Sequence, residues 1–529
     1  MASEPFDWIN DASAGAPAGC TAIPIKTPTG VAFIGRTERG PLNEPVTVKS
    51  FDDYQRIFGG YCAFSFVPQA VQHFFWHGGS AAIVVRVANR ATRARIDVPA
   101  ATGVLRLQAR NPGSNEFLRV SVDYDRVEHD ERRFNLVVQR LGRLGSSLVH
   151  DQELFLGVSL EPNDERYVID ALRDSELVRL TGPLPEQRPD ATRARRPGDP
   201  IPYLEMSAAG SDGDDLTDYD VVGSDTNGTG LFALDRCGCI DLLCIPPPPG
   251  RDLGITSFVA ATRYCDRRRA LLVWDPPWSW YSADATILAL RSAERASHSA
   301  VTYFPRVRPR AELARYPGGI PASGVVAGIL ASSDRHGVWH RLPLADAGLR
   351  GNLVPLVDVT ARQTAMLNRI GVNTLVRAQA GGAALQGNVT FVGSSAVTTL
   401  WQRLDTRRLA LFIVRSIEEH TRWVFAAPGP ALRAALEAQI ANFLGRLQRE
   451  GALPGMKPEE GFFVRVLAAR DPAAPAEHAP LPLTLRVGVA LQRPGELVTY
   501  DFDYPEHGTQ AQLMSRSAAR RRAAESGVG

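Results

Sequence analysis

Two apolar runs are each stopped by consecutive prolines, and this restricts the fold more than any other feature of the sequence. In DLLCIPPPPG the run Leu242 to Ile245 ends in four prolines, and in ALLVWDPPW the run Ala270 to Trp274 ends at Asp275-Pro276-Pro277. Proline cannot donate to a strand ladder, so a strand must end there. Unbroken apolar runs, without alternation, predict strands buried on both faces, as in a sheet covered by helices. AAIVVRV at 81 to 87 and SAVTYFPRV have the same character. The helical stretches SADATILALRSAERA and PASGVVAGILASSD lie after such strands, and this alternation predicts α/β organisation. The second of these is rich in small residues around Val325, Val326, Ile329 and Leu330, which predicts close helix packing. It is too short to span a membrane, and Asp334-Arg335 follows.

From Gly30 to Ala88 the predicted order is strand, turn, strand, helix, helix, strand. Val31, Phe33 and Ile34 form the first strand, Gly40-Pro41 punctuates the chain, and Val46 and Val48 form the second. Phe51, Tyr54, Ile57 and Phe58 then repeat at helical spacing, with Ser50 as cap, Asp52 and Asp53 in the first turn and Gly59-Gly60 as the stop. Val67, Ala70, Val71, Phe74 and Phe75 mark a second helix. Near Arg90 the texture changes. TRARIDV, GVLRLQA, EFLRVSVDY and RRFNLVVQRL are short alternating runs separated by turns, which predict an antiparallel β-rich domain. The breaker-rich stretch 183 to 220 reads as a boundary or exposed excursion before the α/β texture resumes. Farther on, Leu432, Leu436, Ile440, Phe443, Leu444 and Leu447 form one helical stripe stopped by Gly451, and two further groups of strands follow.

At 529 residues the chain is long enough for several cores, and a net charge of +2 gives no global argument for nucleic acid. The six cysteines are too few for a disulfide framework, and no signal or transmembrane segment is read. Cys237, Cys239 and Cys244 lie close together, with Cys265 as a conceivable fourth ligand, but ordinary thiols are the simpler reading. Asp212, Asp214, Asp215, Asp218 and Asp220 lack the spacing of a calcium loop. Gly393-Ser394-Ser395 is not a nucleophile elbow, His73 and His77 lack the intervening glutamate of a metalloprotease helix, and Gly35 to Gly40 is no phosphate loop. Arg516, Arg520, Arg521 and Arg522 read as a solubilising tail. No cofactor or metal is expected. The alternative that remains is an α/β enzyme with its site at the proline-rich strand ends, where Asp275 and Cys244 would be the residues to test.

GVAFIGRTERGPLNEPVTVKSFDDYQRIFGG resembles the N-terminal signature of contractile tail sheath proteins, the family of contractile phage tails, R-type bacteriocins and contractile injection systems. ALDRCGCIDLLCIPP, ALLVWDPPW, PASGVVAGILASSDRHGVWHRLP and LNRIGVNTLV continue the resemblance in order. RRLALFIVRSIEEHTRWVFAAP, ANFLGRLQREGALPG and EEGFFVRV carry it into the C-terminal part. Residues 381 to 400 depart from it, lacking a tryptophan-arginine-threonine-like run. The resemblance implies an α/β and α+β multidomain chain with a tail-sheath-like core, an inserted antiparallel β-rich domain and extended terminal arms. On that reading residues 1–29 are a linking arm, 30–89 and 216–404 the two parts of the core, 90–215 the outward insertion, 405–509 the C-terminal domain and 510–529 a flexible arginine-containing tail. It implies no enzyme. The subunit would stack as hexameric rings in a helical sleeve around an inner tube and contract to drive the tube through a target envelope. Its partners would be neighbouring sheath subunits, the tube protein, and baseplate and tail terminator proteins, without direct nucleic acid or integral membrane contact. Synthesis would be in the bacterial cytoplasm, and the destination a phage virion tail or injection particle. Ala22, Ile23 and Ile25, with Leu497, Val498, Tyr500 and Phe502, are the expected linking residues between subunits, joined by strand addition.

Overall fold

The computed structural model describes residues 21–26, 29–127, 129–192, 202–291, 296–312, 315–340, 349–378, 382–392, 400–426, 430–468, 483–504 and 510–513. Among these, eight strands make one sheet in the order Ala383–Gln386, Asn373–Arg377, Ala300–Phe304, Leu271–Trp274, Leu242–Cys244, Val31–Gly35, Ala82–Arg86 and Pro45–Val48. The inner strands run parallel, and the two outermost are antiparallel to their neighbours. The proline-stopped runs are central strands, as their unbroken apolar character predicts. Phe33, Leu242 and Val273 point to one face, under helices Phe51–Phe58, Val67–Trp76 and Ser323–Asp334. Ile34, Leu243 and Leu272 point to the other, under helices Ile255–Arg268, Ala283–Arg291 and Ala361–Arg369. Both faces are dry, which is why polar alternation is missing from these strands.

The local signals around the first helix hold. The Ser50 hydroxyl accepts from Asp53 N at 3.0 Å, and the helix ends at Gly59, whose φ of 85° favours glycine. On the same side of the sheet, helices Val67–Trp76 and Ser323–Asp334 meet backbone to backbone. A Cβ added at Gly324 would lie 2.0 Å from the Ala70 carbonyl oxygen, and one at Gly328 would lie 2.5 Å from that of Phe74. The small-residue run therefore serves close packing, as its composition predicts.

Residues 95 to 205 contribute two antiparallel sheets. Arg95–Ala100, Gly103–Ala109 and Val178–Leu180 form one, and Leu204–Glu205, Phe117–Asp123, Arg133–Leu141 and Val149–Ser159 form the other. They enclose a core of their own that includes Ile96, Leu107, Val120 and Phe134. Arg86, at the end of a core strand and 1% exposed, fastens this part to the large sheet. Its guanidinium donates to the Gly40 and Pro112 carbonyls at 2.8 and 2.7 Å and lies 3.8 Å from Asp212.

Toward the C terminus, helices Leu404–His420 and Pro430–Arg449 pack with a sheet of Phe462–Ala468, Leu483–Ala490, Leu497–Tyr504 and Gln510–Leu513. Arg486 and Asp501 face each other across neighbouring strands and pair through two bonds of 2.7 Å. The sheet runs past the expected boundary at 509, because Gln510–Leu513 pairs with Tyr500–Asp503. QAQL has no apolar run to announce a strand, and backbone pairing defines it. Residues 514–529, with Arg516, Arg520, Arg521 and Arg522, lie outside the described residues.

Asp275 closes the second proline-stopped strand and caps a helix: its Oδ1 accepts from Ser323 N at 2.9 Å. Burial pushes its carboxyl up to about 6, against hydrogen bonds from Ser323 and the Arg306 charge, which pull it down.

Two outcomes follow from this packing. Gly324→Val should destabilise the chain by about 3 kcal/mol or more, because neither backbone can yield. Gly445→Ala, in helix Pro430–Arg449 with ordinary contacts at 3.7 Å, should be neutral or stabilising by up to about 1 kcal/mol. Denaturant midpoints distinguish the two. Asp275 binds its proton more tightly folded than unfolded, so its contribution to stability is present below about pH 4 and lost as pH rises toward 6. Relative to Asp275→Asn, the wild type should therefore lose up to about 3 kcal/mol between pH 4 and 7; parallel stability curves for the two proteins would contradict this.

Candidate functional site

Of the expected linking residues, Ile23, Val498, Tyr500 and Phe502 belong to the C-terminal cluster of the same chain, and Ile25 packs against it. Ile23 is buried there at 2% exposure, Ile25 packs against the cluster's edge, and Ala22 is exposed. Val498, Tyr500 and Phe502 are buried in the same cluster, and Leu497 is half-buried at the start of their strand. That strand is paired along its length with Leu483–Ala490 and, over Tyr500–Asp503, with Gln510–Leu513. Residues 21–26 do not belong to a strand. They lie along helix Pro430–Arg449, where Gln439 Nε2 donates to the Thr21 carbonyl at 2.6 Å and Lys26 lies 3.6 Å from Glu450. Gln439 is itself held, accepting from Trp423 Nε1 at 3.0 Å. Residues 1–20, 27 and 28 of the expected arm lie outside the described residues.

A polar seam joins this C-terminal unit to the α/β sheet, and sequence reasoning did not single it out. Helix Leu404–His420 contributes Leu404 and Leu411 to the sheet's core and Leu409, Phe412 and Ile413 to the C-terminal core. Between these stripes its charged residues reach carboxylates and a guanidinium of the α/β part. Arg408 pairs with Asp334, Arg415 with Asp241, Arg407 with Asp266 at 3.1 Å, and Glu418 with Arg269 at 2.8 Å. Arg408 and Asp334 are 8% and 2% exposed, so neither has water to replace its partner. Burial pushes the Asp241 carboxyl above the ordinary range, while the Arg415 guanidinium pulls it down. The two acids also hold the start of the first strand: Asp334 accepts from the Thr29 hydroxyl at 2.6 Å and Asp241 from Gly30 N at 2.7 Å. Arginines inside an otherwise apolar helical run, RRLALFIVR, were the available signal, since buried charges need partners.

The proline-rich strand ends are occupied by structure. Arg306 donates to the Gly318 carbonyl at 2.9 Å and to that of Pro277 at 3.2 Å, and its guanidinium lies 3.9 Å from the Trp278 ring centroid. The cavity beside Asp275, Pro276 and Pro277 measures about 10 Å³, the lower limit for one water. Cys244 is buried in the sheet, and burial pushes its thiol far up. Cys239, an exposed residue, donates to Glu419 at 2.6 Å, and partial desolvation with that hydrogen bond raises its thiol to about 11. His73 is held down at about 3 by burial, and His77 contacts the His73 carbonyl through Nδ1 at 2.7 Å. The aspartates of the acidic stretch are used separately: Asp212 accepts from Ser114, and Asp218 from Gly254 N and Ser257. Among the described residues, no group of three or more His, Cys, Asp or Glu side chains is placed to hold a metal, and no helix is long and apolar enough to cross a membrane. Gly393-Ser394-Ser395 lies outside the described residues.

No protein-family model and no curated protein matches the chain. Solved structures do. The crystal structure of a sheath tail protein from Listeria innocua matches with a TM-score of 0.61 at 11% identity, covering 93% of this chain and 98% of that one. A sheath tail protein from Desulfitobacterium hafniense matches with a TM-score of 0.53 at 12% identity, covering 94% and 98%. The PVC sheath complex of an extracellular contractile injection system, in the contracted state, matches with a TM-score of 0.51 at 16% identity, covering 94% and 96%. At such identities the likeness is one of fold, and over more than nine-tenths of the chain that fold resembles the fold of tail sheath proteins.

Proposed function

We propose that the chain is a mechanical subunit of a contractile sheath, one that polymerises as stacked hexameric rings around an inner tube and shortens to drive the tube through a target envelope. The carrying observation is that the likeness to sheath proteins takes in more than nine-tenths of both chains, and one of those neighbours is a sheath complex in its contracted state. In this reading the chain is not an enzyme, and its work is stored in the difference between two packings of folded subunits. Its partners are neighbouring sheath subunits, a tube protein, and baseplate and terminator proteins, in a virion tail or injection particle.

Residues 30–89 and 216–515 form the mechanical body of this proposal, and 90–215 an outward domain. The ends of that domain meet, which supports treating it as an insertion: Asn89 Nδ2 donates to the Asp215 carbonyl at 2.9 Å, and Asp214 N to that of Asn89 at 2.8 Å. Linking residues Ala22, Ile23 and Ile25 would exchange onto the C-terminal unit of a neighbour, near Leu497, Val498, Tyr500 and Phe502. Ile23 is buried in its own chain's C-terminal cluster, and exchange would seat it on the equivalent surface of a neighbour, which offers the same contacts.

Electron microscopy of the protein with its inner tube partner should show rings or sleeves, and a chain that stays monomeric at high concentration beside every candidate tube would overturn the reading. Deleting residues 1–27 should leave the circular dichroism spectrum intact and reduce sleeve assembly or contraction; normal assembly would remove the linking role alone. Replacing 90–215 by a short linker, together with Arg86→Met because that domain supplies the buried guanidinium with its Pro112 and Asp212 partners, should preserve assembly, and its loss in a folded variant would refute the division of labour.

A further inference from the structure

Asp241 and Asp334 each serve two masters. Asp334, the last residue of helix Ser323–Asp334, uses Oδ2 both for the Thr29 hydroxyl and for Arg408. Asp241, just ahead of strand Leu242–Cys244, uses Oδ2 for Gly30 N and Oδ1 for Arg415. Both arginines lie on helix Leu404–His420, and both acceptors lie on the α/β part. The backbone at Gly30 is also jammed: a Cβ there would sit 2.3 Å from the Cys239 carbonyl oxygen. Residues 29–30 and the helix therefore share the same two carboxylates, beside the backbone bonds that Asp241 N and Leu242 N donate to the Gly30 carbonyl at 2.7 and 3.0 Å.

We infer that these shared carboxylates couple the root of the N-terminal segment to helix Leu404–His420, so that docking of the helix and fixing of residues 29–30 are one event. Removing either arginine leaves a buried carboxylate uncompensated, which draws in water and abandons the aim it had on residues 29–30. Coupling of this kind is reciprocal, so loosening residues 29–30 must loosen the helix by the same free energy. Given the sheath reading, a pull on the chain at residues 29–30 reaches helix Leu404–His420 through the carboxylates and the sheet through the strand, beside the direct hold of residues 21–26 on helix Pro430–Arg449. The other pairs of the seam do not share this property. Arg269 meets Glu418 on the same helix but neither contacts residues 29–30 in the bonds described.

Hydrogen exchange by mass spectrometry on the soluble full chain tests the coupling without any need for a sleeve. Arg415→Gln and Arg408→Gln should each speed exchange in peptides spanning 21–34 by about tenfold or more, the scale of a lost charged hydrogen bond. Arg269→Gln, which removes a comparable pair from the same helix, should leave those peptides unchanged. The mild variant Thr29→Val serves if an arginine variant does not fold, and it should speed exchange across Leu404–His420. Exchange at 21–34 that is unmoved by the arginine variants, or moved equally by Arg269→Gln, would overturn the coupling, as would an unchanged helix in Thr29→Val. Because the measurement is made on the free subunit, a negative result leaves the sheath reading standing, and a positive one survives if no sleeve ever forms.

Discussion

The whole architecture hangs on where strand Val31–Gly35 pairs. It lies between Ala82–Arg86, its near neighbour in sequence, and Leu242–Cys244, some two hundred residues away, and it is parallel to both. The large sheet is thus incomplete until both sides of the intervening β-rich part have met. Such non-local parallel pairing carries a loop-closure cost before any contact rewards it. The separate core of the β-rich part offsets this in a simple way: once folded, its ends are already side by side, and the long loop becomes a short one. Arg86 then fastens it, with a fully buried guanidinium whose partners come from the Gly40 turn and from the Pro112 and Asp212 loops.

The C-terminal unit is joined differently. Its helix Leu404–His420 touches the large sheet's core through Leu404 and Leu411, and four ion pairs along the helix add to that contact. A junction of apolar surfaces tolerates many orientations of similar energy. One built from buried ion pairs tolerates few, because each misaligned charge is left desolvated. The two junctions of this chain therefore differ in arrangement, a buried central arginine with Arg36 and Glu38 bonding beside it at one and a row of ion pairs along a helix at the other.

What could be read from the sequence was what depends on neighbouring residues. The proline stops, the Ser50 cap, the Gly59 stop, the small-residue helix around Val325 and the apolar stripe from Leu432 to Leu447 all appear where local chemistry places them. Each is set by backbone restrictions or periodicity within a dozen residues. The seam was not legible, since Thr29 and Asp334, or Asp241 and Arg415, are brought together by the fold and share no spacing in the chain. Strand Gln510–Leu513 was missed for a related reason: its pairing uses main-chain groups that every residue carries. Ala22, Ile23 and Ile25 were legible as an apolar spot, but whose surface such a spot covers is not written in a stretch so short.

The meeting of Asn89 with Asp214 and Asp215 has a consequence for how such a chain changes over generations and in the laboratory. A site where the chain leaves and re-enters at one point, beside a sheet that is closed without it, is a graft point. Loops can lengthen there, whole folded units can be exchanged, and an unrelated domain with adjacent termini can be carried as a passenger, while the sheet keeps the same register.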